Sequence, residues 1–325
     1  MKRLGHECDE IVYDLESLQK TWAKERNVAY GSANWQEDIM MEQILAYKPE
    51  LILFQGSPPL SGWLVNHLKE IVPSLRKIIV HNGYPLNIKD IRGIDLMMCA
   101  SPQIVDQFKK QGVKAELLYY YFDENVTKNL KGNDLLNNRF LKPIDLSFVG
   151  FSGYGGAGNA HHSRFKFLTE LLHSTNISMW LSEGNTRDPN LNPDTKPLLQ
   201  SFPDRTHDGV FGLDMYNILQ NSLLTVNKHT DAKNGNVGNM RMFEATGVGS
   251  CLITDSGNNI TDLFEPNHEI VTFNSNEDCM QKIDYLLNNK NYARKIGKNA
   301  LKRVTKYHSL TQRCKEIDQF FNDLL

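Results

Sequence analysis

The chain has 325 residues, 40% apolar and 23% charged, a balance that argues against a disordered or fibrous protein. Its 36 Lys and Arg against 38 Asp and Glu leave a net charge of −2, so nothing in the global charge favours nucleic acid. Five scattered cysteines, Cys8, Cys99, Cys251, Cys279 and Cys314, none spaced as CxxC, argue against a disulfide framework or a structural zinc site and suit a reducing compartment. Apolar runs such as Leu51–Phe54 fall far short of the roughly 20 residues of a membrane helix, and the first residues contain no apolar leader.

In chain order, Met1–Gly5 reads as the tail of a helix closed by Gly5. Strands are predicted near Glu10–Asp14, Glu50–Gln55, Lys77–His81, Asp95–Cys99 and Glu116–Tyr121. Helices are predicted between them, near Trp35–Ala46, Leu60–Val72 and Pro102–Gln111. Pro49 and Pro73 follow helices and Gly112 closes one, in agreement. Strand–helix–strand alternation with short connections implies right-handed crossovers and a parallel sheet. A domain of this kind ordinarily begins one strand and one helix earlier. Either Met1 is not the natural start or the first strand–helix unit is missing.

The rhythm breaks over 123–142, rich in Asn, Asp and Lys, which reads as a linker. It then restarts, with strands near Asp145–Val149, Ile177–Leu181, Leu223–Val226, Cys251–Thr254 and Glu269–Phe273. The matching helices lie near Ser163–His173, Leu213–Gln220, Asn239–Thr246 and Glu277–Asn288. The expected fold is α/β, with two Rossmann-like doubly wound domains facing a cleft. The expected division is 1–142, 143–309, and a final helix, 310–325, that returns to the first domain. Ligands in such folds sit outside the carboxyl ends of the strands.

The stretch richest in chemistry is Thr225–Asp255, TVNKHTDAKNGNVGNMRMFEATGVGSCLITD. A strand ends near Asn227, a polar loop with Gly235 and Gly238 follows, and a helix begins at Asn239. Free amides and the positive dipole end of a helix start suit a phosphate, and glycine allows close backbone approach. Arg241 adds a bidentate charge in the first turn, and Glu244, one turn on, can accept from both ribose hydroxyls. The same residues also suit a plain tight turn with Glu244 at the surface. A second loop, Gly150–His162 (GFSGYGGAGNAHH), follows a strand and precedes the helix carrying Arg164. It suits a phosphate turn or a flexible loop. Adjacent His161 and His162 lack a third ligand, so no metal site is expected.

The run from Leu223 to Ile317 resembles the C-terminal half of GT-B glycosyltransferases, and within them the CgeB-type (spore-maturation) group allied to glycosyltransferase family 4. The resemblance rests on NMRMFEATGVGSCLITD, ITDLFEPNHEIVTFNSNEDCMQKIDYLLNN and ARKIGKNALKRVTKYHSLTQRCKEI, with FVGFSGYGG and FGLDMYNILQNSLLTVN upstream. It implies a GT-B fold and a sugar transferase. The C-terminal domain would hold a nucleotide-sugar donor, UDP- or GDP-linked, and the N-terminal domain a glycan, lipid-linked or protein acceptor. It places Glu244 on the donor ribose and Asn239 and Arg241 by the diphosphate. The related family carries a second Glu eight positions earlier, where this chain has Asn236.

The donor set expected from these readings is Gly150, Arg164, Lys228, Asn236, Gly238, Asn239, Arg241 and Glu244. Cations and amides aimed at the departing diphosphate lower the barrier, and no Asp-x-Asp stands at a strand end, so the reaction is expected to need no metal and no cofactor beyond the donor. His81, at a strand end in the first half, and His229 are the catalytic candidates beside Arg241. Retention of configuration follows from the family-4 alliance. Lys290–Lys315 holds nine Lys or Arg and no acid, with apolar residues at helical spacing. This stripe suits a solvated outer face or a peripheral contact with an anionic membrane, in an otherwise cytosolic protein. The rival readings are a degenerate transferase that binds nucleotide without turnover and a nucleotide-sugar epimerase or hydrolase of the same fold.

Overall fold

The computed structural model describes residues 1–55, 61–83, 86, 92–130, 142–154, 162–184, 196–230 and 235–325. The chain divides into two compact units, one of Met1–Leu118 with Cys314–Leu325 and one of Tyr119–Arg313.

The first unit opens with α1 (Glu16–Glu25) and α2 (Trp35–Tyr47). It continues β1 (Leu51–Gln55), α3 (Gly62–Ile71), β2 (Lys77–Asn82), β3 (Leu96–Cys99), α4 (Pro102–Lys110) and β4 (Ala115–Leu117). The four strands are parallel in the order β1-β2-β3-β4. Ser61 caps α3 by accepting from the Leu64 amide at 3.1 Å, and Pro102 opens α4, where its missing N–H costs nothing. Both helices turn apolar faces to one side of the sheet, with Leu64, Val65, Leu68, Ile104, Val105 and Phe108 over Phe54, Ile78, Val80, Met97 and Cys99. On the other side, Ile79, Leu96 and Met98 pack with Ile317 and Phe321 of the C-terminal segment. Because β2 and β3 are covered on both faces, they read as continuous apolar runs, as central parallel strands do.

The strand expected at Glu10–Asp14 is absent. Ile11 and Tyr13 do pack against the first core cluster, but without a ladder partner. Gln19 of α1 instead donates its side-chain amide to the Val12 carbonyl at 2.9 Å, and Leu15 turns back onto the same oxygen. Period-two apolarity here serves packing alone. The expected helix tail at the start is a single 3₁₀ turn, Lys2–Leu4, closed by Gly5 at φ 93°.

The second unit runs β5 (Ile144–Phe151), α5 (His162–Ser174), β6 (Ser178–Ser182), α6 (Leu198–Ser201), β7 (Thr206–Asp208), α7 (Gly212–Asn221) and β8 (Ser222–Asn227). It continues α8 (Met240–Gly247), β9 (Cys251–Asp255), α9 (Ile260–Leu263), β10 (Val271–Phe273), α10 (Asn276–Asn288) and α11 (Lys290–Tyr307). The last helix, α12 (Leu310–Asn322), starts in this unit and from Cys314 counts with the first. The six parallel strands run β10-β9-β8-β5-β6-β7, so the order reverses between β5 and β8. One face buries Phe148, Met179, Val226 and Ile253 under α5 and α10. The other buries Val149, Leu219, Leu252 and Phe243 among α7, α8 and Val304 of α11. Helices on both faces make this a doubly wound sheet.

Two glycines let the layers close. A Cβ on Gly247 would meet the Phe122 ring at 2.3 Å, and one on Gly297 of α11 would meet the Gly249 carbonyl oxygen at 2.6 Å. The ammonium of Lys142, just before β5, donates to the carbonyls of Gln220, Ser222 and Gly249 at 2.9–3.1 Å. Burial pushes its pKa down to about 8, while three carbonyls satisfy its three N–H groups. The basic helix α11 buries Ala293, Ile296, Gly297, Ala300, Leu301 and Val304 in its own unit and leaves Lys295, Lys302 and Lys306 exposed. Among the described residues no helix is long and apolar enough to cross a membrane.

Candidate functional site

The reversal between β5 and β8 is a topological switch point, where loops leave neighbouring strands toward opposite faces and open a crevice at the carboxyl edge. The sequence concentrates its polar loop residues there. Asn239 caps α8, its side-chain oxygen accepting from the Met242 amide at 3.3 Å. Its Nδ2 donates to Asn227 Oδ1 at 2.9 Å, and Asn227 in turn donates to Thr254 Oγ1 at 3.0 Å. Asn259 closes the other side of the turn, accepting from the Val237 amide at 2.8 Å and donating to the Val237 carbonyl at 3.0 Å. Gly238, at φ 123°, occupies backbone space that a side chain would strain.

Arg241 ties α8 to β5. Its Nε donates to the Val149 carbonyl at 3.0 Å, beside Gly150 at the end of that strand, and its Nη1 lies 2.8 Å from Glu244 Oε2. Glu244 is only 8% exposed. Burial pushes its carboxyl above the usual range, and the Arg241 guanidinium offsets part of that. Tyr216 of α7 senses the same charge: burial, then Glu244, raises its phenol well above the usual value, which keeps it a neutral donor. The surface-residue reading of Glu244 is therefore excluded.

At the ends of β8 and β9 a second cluster forms. The register pairs Asn227 with Thr254, which brings Lys228 and His229 beside Asp255. Asp255 accepts from the His229 amide at 3.0 Å and lies 2.7 Å from His229 Nδ1 and 3.4 Å from Lys228 Nζ. Burial opposes its charge, but the side-chain and backbone hydrogen bonds from His229, with the charge of Lys228, hold its pKa down at about 2. Nε2 of His229 accepts from the Gly238 and Asn239 amides at 3.0 and 3.3 Å. Arg164 of α5 donates to the Lys228 carbonyl at 2.7 Å.

The structure thus gathers Gly150, Arg164, Lys228, His229, Gly238, Asn239, Arg241 and Glu244 at one edge of one sheet, with Asn236, 9% exposed, on the intervening loop. His81 belongs to the first unit, at the carboxyl end of β2. It is buried, which lowers its pKa, and it takes part in a hydrogen bond with the Leu118 backbone. Both ring nitrogens of His229 are engaged in holding the turn. Residues 155–161, with most of the glycine-rich loop and His161, and residues 231–234 lie outside the described residues, as does the side chain of His162. Among the described residues no cluster of His, Cys, Asp or Glu could hold a metal ion. Sequence reasoning missed Asp255, Asn227 and Asn259. For the first two the signal is present: Asn227 closes β8 and Asp255 closes β9, polar residues ending neighbouring apolar strands that meet once the strands are paired in register.

Two Rossmann-like units, the second with a polar switch point, define the GT-B architecture, and comparison with solved structures agrees. The chain superposes on HepE from Anabaena in complex with UDP with a TM-score of 0.61 at 13% identity, covering 94% of this chain and 89% of that one. Sucrose-phosphate synthase from Thermosynechococcus elongatus gives 0.60 at 13% identity over 91% and 81%. A glycosyltransferase from Rickettsia africae gives 0.59 at 13% over 94% and 87%. At these identities the likeness assigns the fold. Residues 182–319 match the family described as glycosyl transferase-like, and this stretch contains the whole β8–α8–β9 cluster. No curated protein matches the chain.

Proposed function

We propose that the protein is a glycosyltransferase that binds a nucleoside diphosphate sugar at the carboxyl edge of the second unit and passes the sugar to a glycan, lipid-linked or protein acceptor. One observation carries the reading: the buried Arg241–Glu244 pair and the start of α8 stand at the switch point of a domain that matches the glycosyl transferase-like family. In this role Glu244 takes the ribose hydroxyls. Arg241, Lys228 and the first amides of α8 bind the diphosphate and stabilise the charge it gains as the glycosidic bond breaks. HepE has been crystallised with UDP and with UDP-glucose, which favours a UDP-linked hexose donor. The proposal includes membership of the CgeB-type group, a metal-independent, retaining reaction, an acceptor held by the first unit with His81 as its catalytic candidate, and a cytoplasmic setting. The exposed lysines of α11 are available for peripheral contact with an anionic membrane.

The test is a melting panel with UDP, GDP, ADP, CMP and dTDP, with Mg²⁺ or with EDTA. Nucleotide at 100 times its dissociation constant adds about 2.7 kcal/mol. A selective rise with UDP, unchanged by EDTA and lost in Glu244→Ala, is expected. A flat response to every nucleotide would overturn the donor-site assignment.

A further inference from the structure

The same geometry gives His229 a role different from chemistry on the sugar. A neutral imidazole has one donor and one acceptor nitrogen. Nε2 faces two backbone N–H groups, those of Gly238 and Asn239, and so is the acceptor. Nδ1 then carries the proton and donates it to Asp255 Oδ1 at 2.7 Å. Asp255 also accepts from the backbone amide of His229, so the ring is held at both ends of the residue. The side chain is 3% exposed.

This disposes of specific amides. Those of Gly238 and Asn239 point inward to the ring, and that of Met242 is taken by the Asn239 side chain. The amides of Met240 and Arg241, the first two of α8, have no partner within the helix. They fall at Met240, a residue 54% exposed. We infer that His229, locked by Asp255, is a positioning residue: it consumes the two inner amides, sets the turn at Gly238–Asn239, and aims the amides of Met240 and Arg241 at the donor diphosphate. The inference rests on the glycosyltransferase reading for the identity of the ligand, but not for the hydrogen bonds.

Three proteins test it: wild type, His229→Phe, which removes all three ring hydrogen bonds, and His229→Gln, whose side-chain oxygen can replace Nε2 as the acceptor. Nitrogen-15 NMR of the wild-type ring should show a protonated Nδ1 and a bare Nε2. The opposite tautomer would overturn the inference without any nucleotide present. In calorimetric titrations with UDP and with GDP, His229→Phe should weaken binding on the order of tenfold to a hundredfold, as a misaimed contact does. His229→Gln should recover most of it. Should the Phe variant fail to fold, the Gln variant decides, because near-normal affinity is expected of a replaced acceptor and a loss as severe as removal of Glu244 is not. Variants that all bind like wild type would overturn the positioning role and leave the donor site standing. A wild type that binds neither nucleotide would overturn both.

Discussion

The six-stranded sheet reverses its strand order once, between β5 and β8, whereas the four-stranded sheet runs from β1 to β4 without a reversal. The two are built from the same parallel strand–helix unit, and their charges follow the difference. In the second unit the buried pairs, Arg241–Glu244 and His229–Asp255, stand at the carboxyl edge beside the switch point. In the first unit the best-defined carboxylate, Asp95, stands at the amino edge just before β3, where it accepts from the Ile78 amide and pairs with Lys69 and Lys77. A reversal sends neighbouring loops to opposite faces and leaves polar side chains room to converge on a ligand. Without one, a carboxylate at a strand end ties strands and helix together.

The widest gap between the two regions should appear when one cation is removed from each. Arg241→Met strands the carboxylate of Glu244 in a site where that side chain is 10% exposed, and an unpaired buried charge costs about 3–5 kcal/mol. Lys77→Met leaves Asp95 with Lys69 and the Ile78 amide, so at most about 1 kcal/mol is expected. Thermal melts compare the two. The Arg241 deficit should also depend on pH. Without the guanidinium the Glu244 pKa rises further, the folded state holds the proton more tightly than the unfolded chain, and the deficit grows as pH rises through that pKa. Equal, pH-independent losses in both variants would erase the distinction.

Asp255 gives a smaller effect with the opposite sign. Its folded pKa of about 2 lies below the unfolded value of 3.8, so its stabilisation is complete above the unfolded pKa and is lost as pH falls through the folded one. The difference corresponds to about 2 kcal/mol. Acid unfolding curves of wild type and Asp255→Asn should therefore converge between about pH 4 and pH 2. Curves that stay parallel over that range would show that the latch contributes no ionic stabilisation.

Much of this arrangement is legible in the sequence, and the exceptions have physical causes. Apolar runs locate β2, β3, β5, β8 and β9, because central parallel strands must be apolar on both faces. The three residues of β7, Thr-His-Asp, show neither alternation nor an apolar run, since an edge strand needs little of either. Ile11 and Tyr13 alternate like a strand and form none, because packing and pairing impose the same pattern. At the site, Gly238, Asn239, Arg241 and Glu244 can be picked out locally, as a strand, a polar turn and a helix start in succession. Asp255 cannot. It lies 26 residues beyond His229, and only the register of β8 on β9 makes them neighbours.

The smallest effect bears on the helix starts themselves. Ser61 caps α3 and Asn239 caps α8, each with one side-chain oxygen on the third helical amide. Loss of either cap should cost about 1 kcal/mol, so melting alone will not separate Ser61→Ala from Asn239→Ala. Nucleotide should. Ser61 does nothing beyond its cap in the contacts described, and the melting shift produced by UDP should be the same in Ser61→Ala as in wild type. Asn239 also grips Asn227 at the end of β8, so its loss frees the turn that the two amides of α8 depend on, and the UDP shift should shrink. If both variants kept the full shift, the start of α8 would be a cap like that of α3, and the difference between the two sheets would be one of topology without consequence for binding.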